Sequence, residues 1–372
     1  MKKRNKIMII IGSLLLIVIL IFVSLDGTFL TKKYSSVWSD KYINELENDQ
    51  SKLIAYGIRA ASSHNSQPWK VELINANTIK LYADMDKALH VVDADYKQLL
   101  MSQGTFIESY KQAALNFGYE VNITYNIPNF SEKQPLIATI ELNEKSNINT
   151  EDVISRSTYD AVYSKEYNNL TKALDDSISE YPGIKYTIIE SSSDEEKLES
   201  VLLEATIIES KDEAAVKELL DVFRWTEWEK NEHRYGLSLN ALPGMLKPFI
   251  QPIMKSLSSD WEAFGDSGIS QFKDRLDKQT KYILIKADNP SNLEYLYSGQ
   301  IYQKLILEIN EYDLRPAMQA LENFEAMKSL NLQFQEEYGQ DGEVIMIIGL
   351  QEKTEKSVNS NPRHLVEDII NR

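Results

Sequence analysis

The residues best suited to chemistry lie in IRAASSHNSQPWKVEL, Ile58 to Leu73. From Ser62 to Gln67 come two serines, a histidine, an asparagine, a serine and a glutamine. Pro68 cannot continue a helix and biases Gln67 to an extended backbone, so the six polar residues form a short turn between a helix and a strand. Amide side chains place donors beside acceptors, which suits the edge of a heterocycle. A plain connection needs only one or two such residues. On composition alone, ligand binding and a structural turn both stay open.

Other chemistries find little support. Cysteine is absent, which excludes disulfides, thiolate nucleophiles, cysteine-ligated zinc, iron–sulfur clusters and a lipid on cysteine. The four histidines, at 64, 90, 233 and 364, are scattered and show no metal-ligand spacing, so no metal site is expected. No G-x-S-x-G elbow supports a Ser–His–Asp triad. Trp225 and Trp228 read as packing on one helix face, and His233 as a surface residue. Arg59 divides between a salt bridge and a ligand contact. No side chain stands out as a general acid or base, so no catalytic residue is assigned.

The elements that must position the turn belong to a chain of 372 residues, long enough for two modules or one domain doubled. Hydrophobic residues make up 43% and charged residues 26%, which excludes a disordered chain. The net charge of −16 argues against nucleic-acid binding, because phosphate backbones need basic surface. The charge is uneven. Ile7 to Leu25 are nineteen residues without a charge; as a helix they cover roughly 28 Å, close to a bilayer core. Lys2, Lys3, Arg4 and Lys6 precede this run. They predict a single-pass membrane helix over 7–25 with a cytoplasmic basic tail at 1–6 and the body outside the cytoplasm. The alternative is a cleaved secretory signal, but its apolar region would be long and no A-x-A-like site follows. Removing the six basic and one acidic side chains of residues 1–33 from totals of 40 and 56 leaves 34 and 55, a body of net −21.

Residues 26–45 read as a polar linker. A helix is expected over about 43–60, paired strands at 69–74 and 78–84, a helix over 98–117 ended by Gly118, and strands at 119–125 and 136–142. Further on, 170–179 and 194–223 are mainly helical around a strand at 186–190. The segment 234–248 is rich in turn-formers and long enough to cover a site. A strand at 282–287, a long helix over 293–312 and an apolar strand at 344–350 follow. LIATIELNEK (136–145) aligns without a gap on VIMIIGLQEK (344–353), and each half enters its long helix with a glycine near the start, Gly104 or Gly299. These are signs of an internal duplication. An α+β unit present twice places a crevice between its halves, where ligand sites concentrate.

SSHNSQPW resembles the flavin-binding turn of the nitroreductase superfamily, approximately A-P-S-S-x-N-x-Q-P-W. The histidine before the asparagine is typical of the Acg-like subgroup, in which two such halves are fused. The resemblance covers most of 53–372 and continues at ISRSTYDAVY (154–163), SGQIYQKLILEINEYDLRPAM (298–318) and NPRHLVEDII (361–370). It implies a nitroreductase-like α+β fold with a first half at 46–150 and a second at 151–372, monomeric as an internal pseudo-dimer, and FMN as cofactor. Ser63, Asn65 and Gln67 would hydrogen-bond the isoalloxazine or ribityl part. Arg156 and Thr158 would face the phosphate region, with Arg363 as second phosphate ligand; guanidinium groups suit that task. Pro316 and Met318 would lie near the flavin. Two positions depart from the pattern: Ala61 replaces a proline, and Asp160 stands where an arginine is usual. The implied activity is flavin-mediated hydride or electron transfer to an unknown acceptor. A non-enzymatic FMN store behind a lid and a flavin-free cell-envelope interaction domain are the alternatives.

Overall fold

The computed structural model describes residues 3–126, 128–144, 170–238, 245–309, 312–352 and 361–371, with side chains for all of these except 3–6, 9 and 144. The fold is mixed α+β with antiparallel sheets. Helix α1 (Lys3–Asp26) comes first. Its described side chains run unbroken only from residue 10, and among the described residues no helix is long and apolar enough to cross a membrane. The stretch read as a linker is folded onto the body. A 3-10 turn over Lys33–Trp38 and α2 (Asp40–Glu45) bury Tyr34, Val37 and Ile43. The helix expected over 43–60 begins later, as α3 (Asp49–Ile58), because Asn48 caps it by accepting from the Ser51 N–H.

The first half then runs β1 (Trp69–Asn75), β2 (Thr78–Ala83), α4 (Lys97–Asn116), β3 (Tyr119–Tyr125) and β4 (Leu136–Glu144), with strand order β1-β2-β4-β3. The second half opens with α5 (Leu170–Ile178) and β5 (Ile184–Ile189). An insertion follows: α6 (Ser192–Lys211), α7 (Glu213–Asp221), β6 (Phe223–Arg224), α8 (Glu227–His233), β7 (Leu237–Ser238), α9 (Lys247–Leu257) and α10 (Trp261–Leu276). The chain returns with β8 (Gln279–Ala287), α11 (Asn292–Glu308), β9 (Tyr312–Pro316), α12 (Lys328–Tyr338), β10 (Glu343–Glu352) and α13 (Val366–Ile369). The second sheet has order β5-β8-β10-β9. Both halves are therefore two strands, a long helix and two strands, with the last strand inserted beside the second. The strands that align in sequence, β4 and β10, occupy the same place in the two sheets. Tyr312, expected at the end of a helix, instead opens β9, which pairs with β10 from Tyr312↔Glu352 to Pro316↔Ile348.

Burial differs between the two copies because their surroundings differ. In β4 the pattern ends as an alternation, with Ile140 and Leu142 buried and Glu141 and Asn143 exposed. In β10 every residue from Val344 to Leu350 is buried. One face of each sheet joins a common core with α4 and α11. The other face of the second sheet is covered as well, by Leu198, Leu202 and Ala205 of α6 and Leu330 and Phe334 of α12. A sheet covered on both faces needs an unbroken apolar strand; one covered on a single face needs alternation.

The halves meet through α4 and α11. A Cβ on Gly104 would lie 2.0 Å from the Leu296 carbonyl oxygen, and one on Gly299 would lie 2.0 Å from that of Met101. The backbones touch directly, and each glycine is the residue the other helix rests on. The C-terminal segment then crosses back to the first half, where Ile370 forms a parallel bridge with Val71 and the Asn371 N–H donates to the Val71 carbonyl at 2.8 Å. Gly104→Ala or Gly299→Ala must push the helices apart and should cost about 2–3 kcal/mol. Gly268→Ala, whose Cβ would meet only Ser210 Oγ at 3.5 Å inside α10, should leave the urea unfolding midpoint unchanged or raise it slightly, since alanine favours a helix interior by up to about 1 kcal/mol. Equal midpoints for all three variants would refute the crossing.

Candidate functional site

The turn between α3 and β1 is held in a left-handed backbone. His64, Asn65 and Gln67 have φ of 46°, 54° and 50°. The extended backbone expected for Gln67 ahead of Pro68 is not what forms. Three non-glycine residues in this region carry strain of about 1 kcal/mol or more each, so the surroundings must hold them. They do so through side chains. The Asn65 amide donates to the carbonyls of Gly236 and Pro362, both at 2.9 Å, and its Oδ1 accepts from Arg363. The Gly236 N–H donates back to the Asn65 carbonyl at 2.7 Å. The Gln67 amide donates to the Arg234 and Pro362 carbonyls, each at 3.1 Å, and its Oε1 accepts from the His364 N–H at 2.9 Å. Ser63 Oγ donates to Gln98 Oε1 at 2.6 Å, and its N–H donates to Ser102 Oγ on α4.

Beside the turn opens a cavity of about 680 Å³, within the range of small-molecule and cofactor sites. Ser63, His64 and Asn65 form one wall, Ser102 and Thr105 of α4 and Tyr302 and Gln303 of α11 the base, and Arg363 closes the side. Pro316 and Met318 also line it. Of the six residues singled out, Ser63, Asn65 and Arg363 thus meet at the cavity. Gln67 is fully buried behind the turn and does not line it. Arg156 and Thr158, like Asp160, lie outside the described residues. Arg363 is buried, donates to the Ala60 and Pro362 carbonyls as well as to Asn65, and lies 5.1 Å from the Trp38 ring. Arg59 is buried too, donates to the Val37 carbonyl at 2.9 Å and stacks on Tyr56.

The insertion adds charged groups that sequence reasoning missed. Glu209 of α6 and Arg275 of α10 both reach the cavity, together with Arg315 of β9 and Glu322. A usable signal existed. Glu209 follows Leu198, Leu202 and Ala205 on the buried stripe of α6, and Arg275 follows Phe272 by three on α10. A charge on an apolar stripe marks a polar cavity beneath it. Arg275 stacks on Phe272 at 4.6 Å and has no ion pair or hydrogen bond among the described residues. Leu237, next to the expected cover, also lines the cavity, while residues 239–244 lie outside the described ones.

Burial sets the charge of the titratable groups around the cavity. Burial pushes the His64 imidazole down to about 4, so it is neutral at pH 7. Burial pushes Glu209 up to about 7 against the pull of Arg275. Burial, and then the charge of Glu209, push Glu322 well above the usual carboxylate range. Its Oε1 accepts from Gln98 Nε2 at 3.4 Å, while Oε2 has no partner among the described residues. Asp93, whose two oxygens accept from the Gln98 and Leu99 N–H groups at the start of α4, is pushed by burial up to about 7. The arginines offer anion recognition, and Glu322, held protonated, offers a hydrogen-bond donor in the same cavity. Among the described residues, no group of histidine, aspartate or glutamate could hold a metal ion. No family model matches the chain, and none of the curated proteins matches it.

These raised pKa values have a sign. The folded state keeps protons that the unfolded chain releases, so the stability they lend is full below the ordinary glutamate value of 4.5 and fades as pH rises through about 7. Glu209→Gln should stabilise the fold at pH 8 by an amount on the order of 3 kcal/mol at most, read from urea unfolding; Glu322→Gln should act in the same direction, and both should change stability little at pH 4.5. Variants as pH-sensitive as the unsubstituted chain would show that these carboxyls do not titrate in the fold.

Proposed function

We propose that this chain is a membrane-anchored, nitroreductase-like protein that binds FMN between its two halves and transfers hydride or electrons through it. The observation that carries this reading is the duplicated unit with its cavity. Two β-β-α-β-β copies cross at Gly104 and Gly299, and the polar turn, both crossing helices and the C-terminal arm meet around one space of about 680 Å³. FMN, when bound, supplies the hydride chemistry at its N5. The chain's residues bind and orient. Arg363, with Arg156 and Thr158 as the resemblance implies, faces the phosphate, and Arg275 and Arg315 add cationic charge to the same cavity. Ser63, Gln98 and Gln303 line the cavity and would face the heterocycle, giving up or sharing the Ser63–Gln98 bond and the Gln303 bond from the Ala61 N–H; the Asn65 and Gln67 amides are engaged in holding the turn. The anchor rests on the uncharged run Ile7–Leu25 and the basic residues before it, which place the N-terminus in the cytoplasm and the body outside it.

A second reading, a non-enzymatic FMN store, is favoured by the insertion. It brings Leu237, Glu209 and Arg275 over the cavity and leaves less room for a substrate beside a flavin. The visible spectrum of the purified full chain tests both readings. The blue-light absorbance of oxidised flavin, present on isolation or gained on soaking with FMN, is expected, and its absence in both would leave a flavin-free interaction domain. Arg275→Ala should weaken FMN binding roughly tenfold, the loss of a charge-assisted hydrogen bond. Anaerobic mixing with reduced nicotinamide then separates the roles: bleaching supports the oxidoreductase, and flavin that stays oxidised supports the store.

A further inference from the structure

The side of the insertion facing away from the cavity carries apolar residues where a water-facing helix would carry polar ones. Leu246, which caps α9, and Ile253 and Leu257 within it fall on one stripe, and they are 49%, 46% and 61% exposed. The opposite side of the helix turns Pro248 and Gln251 inward. The Gln251 amide is buried with no hydrogen-bond partner among the described residues. A helix with its apolar stripe outward and an amide inward is built backwards for water. It is built correctly for a bilayer surface, where amphipathic helices bury the apolar face at the boundary between headgroups and acyl chains.

Its position fits that surface. Helix α9 packs against α1, with Phe249 against Phe22 at 5.7 Å between ring centroids. Phe22 precedes Asp26, the first charge after the uncharged run, by four residues, or roughly 6 Å of helix. The Trp228 indole, half exposed, donates to the Ser24 carbonyl at 3.0 Å, at the level where tryptophans line membrane interfaces. Lys247 lies near Lys32 at the same end, and such cations reach phosphate headgroups.

We propose that α9, with Trp228, is a membrane-seating element that inserts its exposed apolar stripe into the lipid leaflet from which α1 emerges. The body is thereby held flat on the bilayer instead of swinging on a tether. The depth assigned to α9 rests on the anchor reading above. The seat itself can be tested separately, because the chain contains no cysteine and single substitutions can each carry one fluorescent label.

The full chain is placed in phosphatidylcholine nanodiscs and labelled at Ile253→Cys, Leu257→Cys, Leu16→Cys within α1, or Glu336→Cys on α12. Quenching is read with nitroxide-bearing acyl chains and with aqueous iodide. Labels at 253 and 257 should be quenched by the nitroxide lipid at least roughly threefold more than the label at 336, and protected from iodide. Labels open to iodide and out of reach of the lipid would overturn the seat. The label at 16 then shows whether the anchor stands alone or fails too. Labels shielded from both quenchers would overturn the seat in favour of a second protein copy. Lipid quenching at 253 and 257 without quenching at 16 would uphold the seat and remove the anchor.

Discussion

The contact between two helix backbones at Gly104 and Gly299 sets the rest of the molecule. Each glycine lets a carbonyl of the other helix approach to a distance no side chain would permit. Because α4 and α11 each pack against their own sheet, that distance fixes how close the sheets come and which side chains share one core. It also fixes the base of the cavity, whose lining on both helices lies within about one turn of the crossing: Ser102 and Thr105 on one, Tyr302 and Gln303 on the other. A cavity built on a rigid crossing keeps its shape without help from loops.

Around that base, the polar residues of the turn serve as struts. Asn65 and Gln67 use nearly all their hydrogen-bonding capacity on backbone groups of Arg234, Gly236, Pro362 and His364. Arg234 in turn holds Asp368 through two bonds at 2.6 and 2.5 Å. Three distant pieces of chain are thus tied into one wall, and a buried network of this kind is stable only when its members are satisfied together. The groups left for a ligand are those the network does not consume. They are mostly charged residues of the insertion and of β9, set in a body that is otherwise strongly acidic.

Much of this was legible before any coordinates. The gapless match of residues 136–145 to 344–353 pointed to strands that prove equivalent; the glycines of the long helices read only as a further sign of duplication, and their contact became visible in the fold. The six polar residues marked the turn. Other features depended on partners that no local pattern names. Tyr312–Pro316 reads as polar and ends in proline, yet it forms an edge strand because β10 offers it a partner. The helix expected over 43–60 hid its start because Asn48 looked like one more polar residue until its cap appeared. The amides of Asn65 and Gln67 were visible as donors and acceptors, but which groups would take them depended on residues 167 to 298 positions away. Arg275 and Glu209 carried a readable signal, charge on an apolar stripe, whose meaning lay in the cavity below.

The C-terminal arm has a consequence in time. Arg363 contacts Asn65 across 298 residues of sequence, and the bridge between Ile370 and Val71 comes later still. During synthesis the turn and the first sheet emerge early, and the arm that completes the cavity wall follows 298 residues behind Asn65. Until that arm docks, the cavity lacks one of its walls. The site is therefore complete only when residues from both ends of this long stretch of chain are present together.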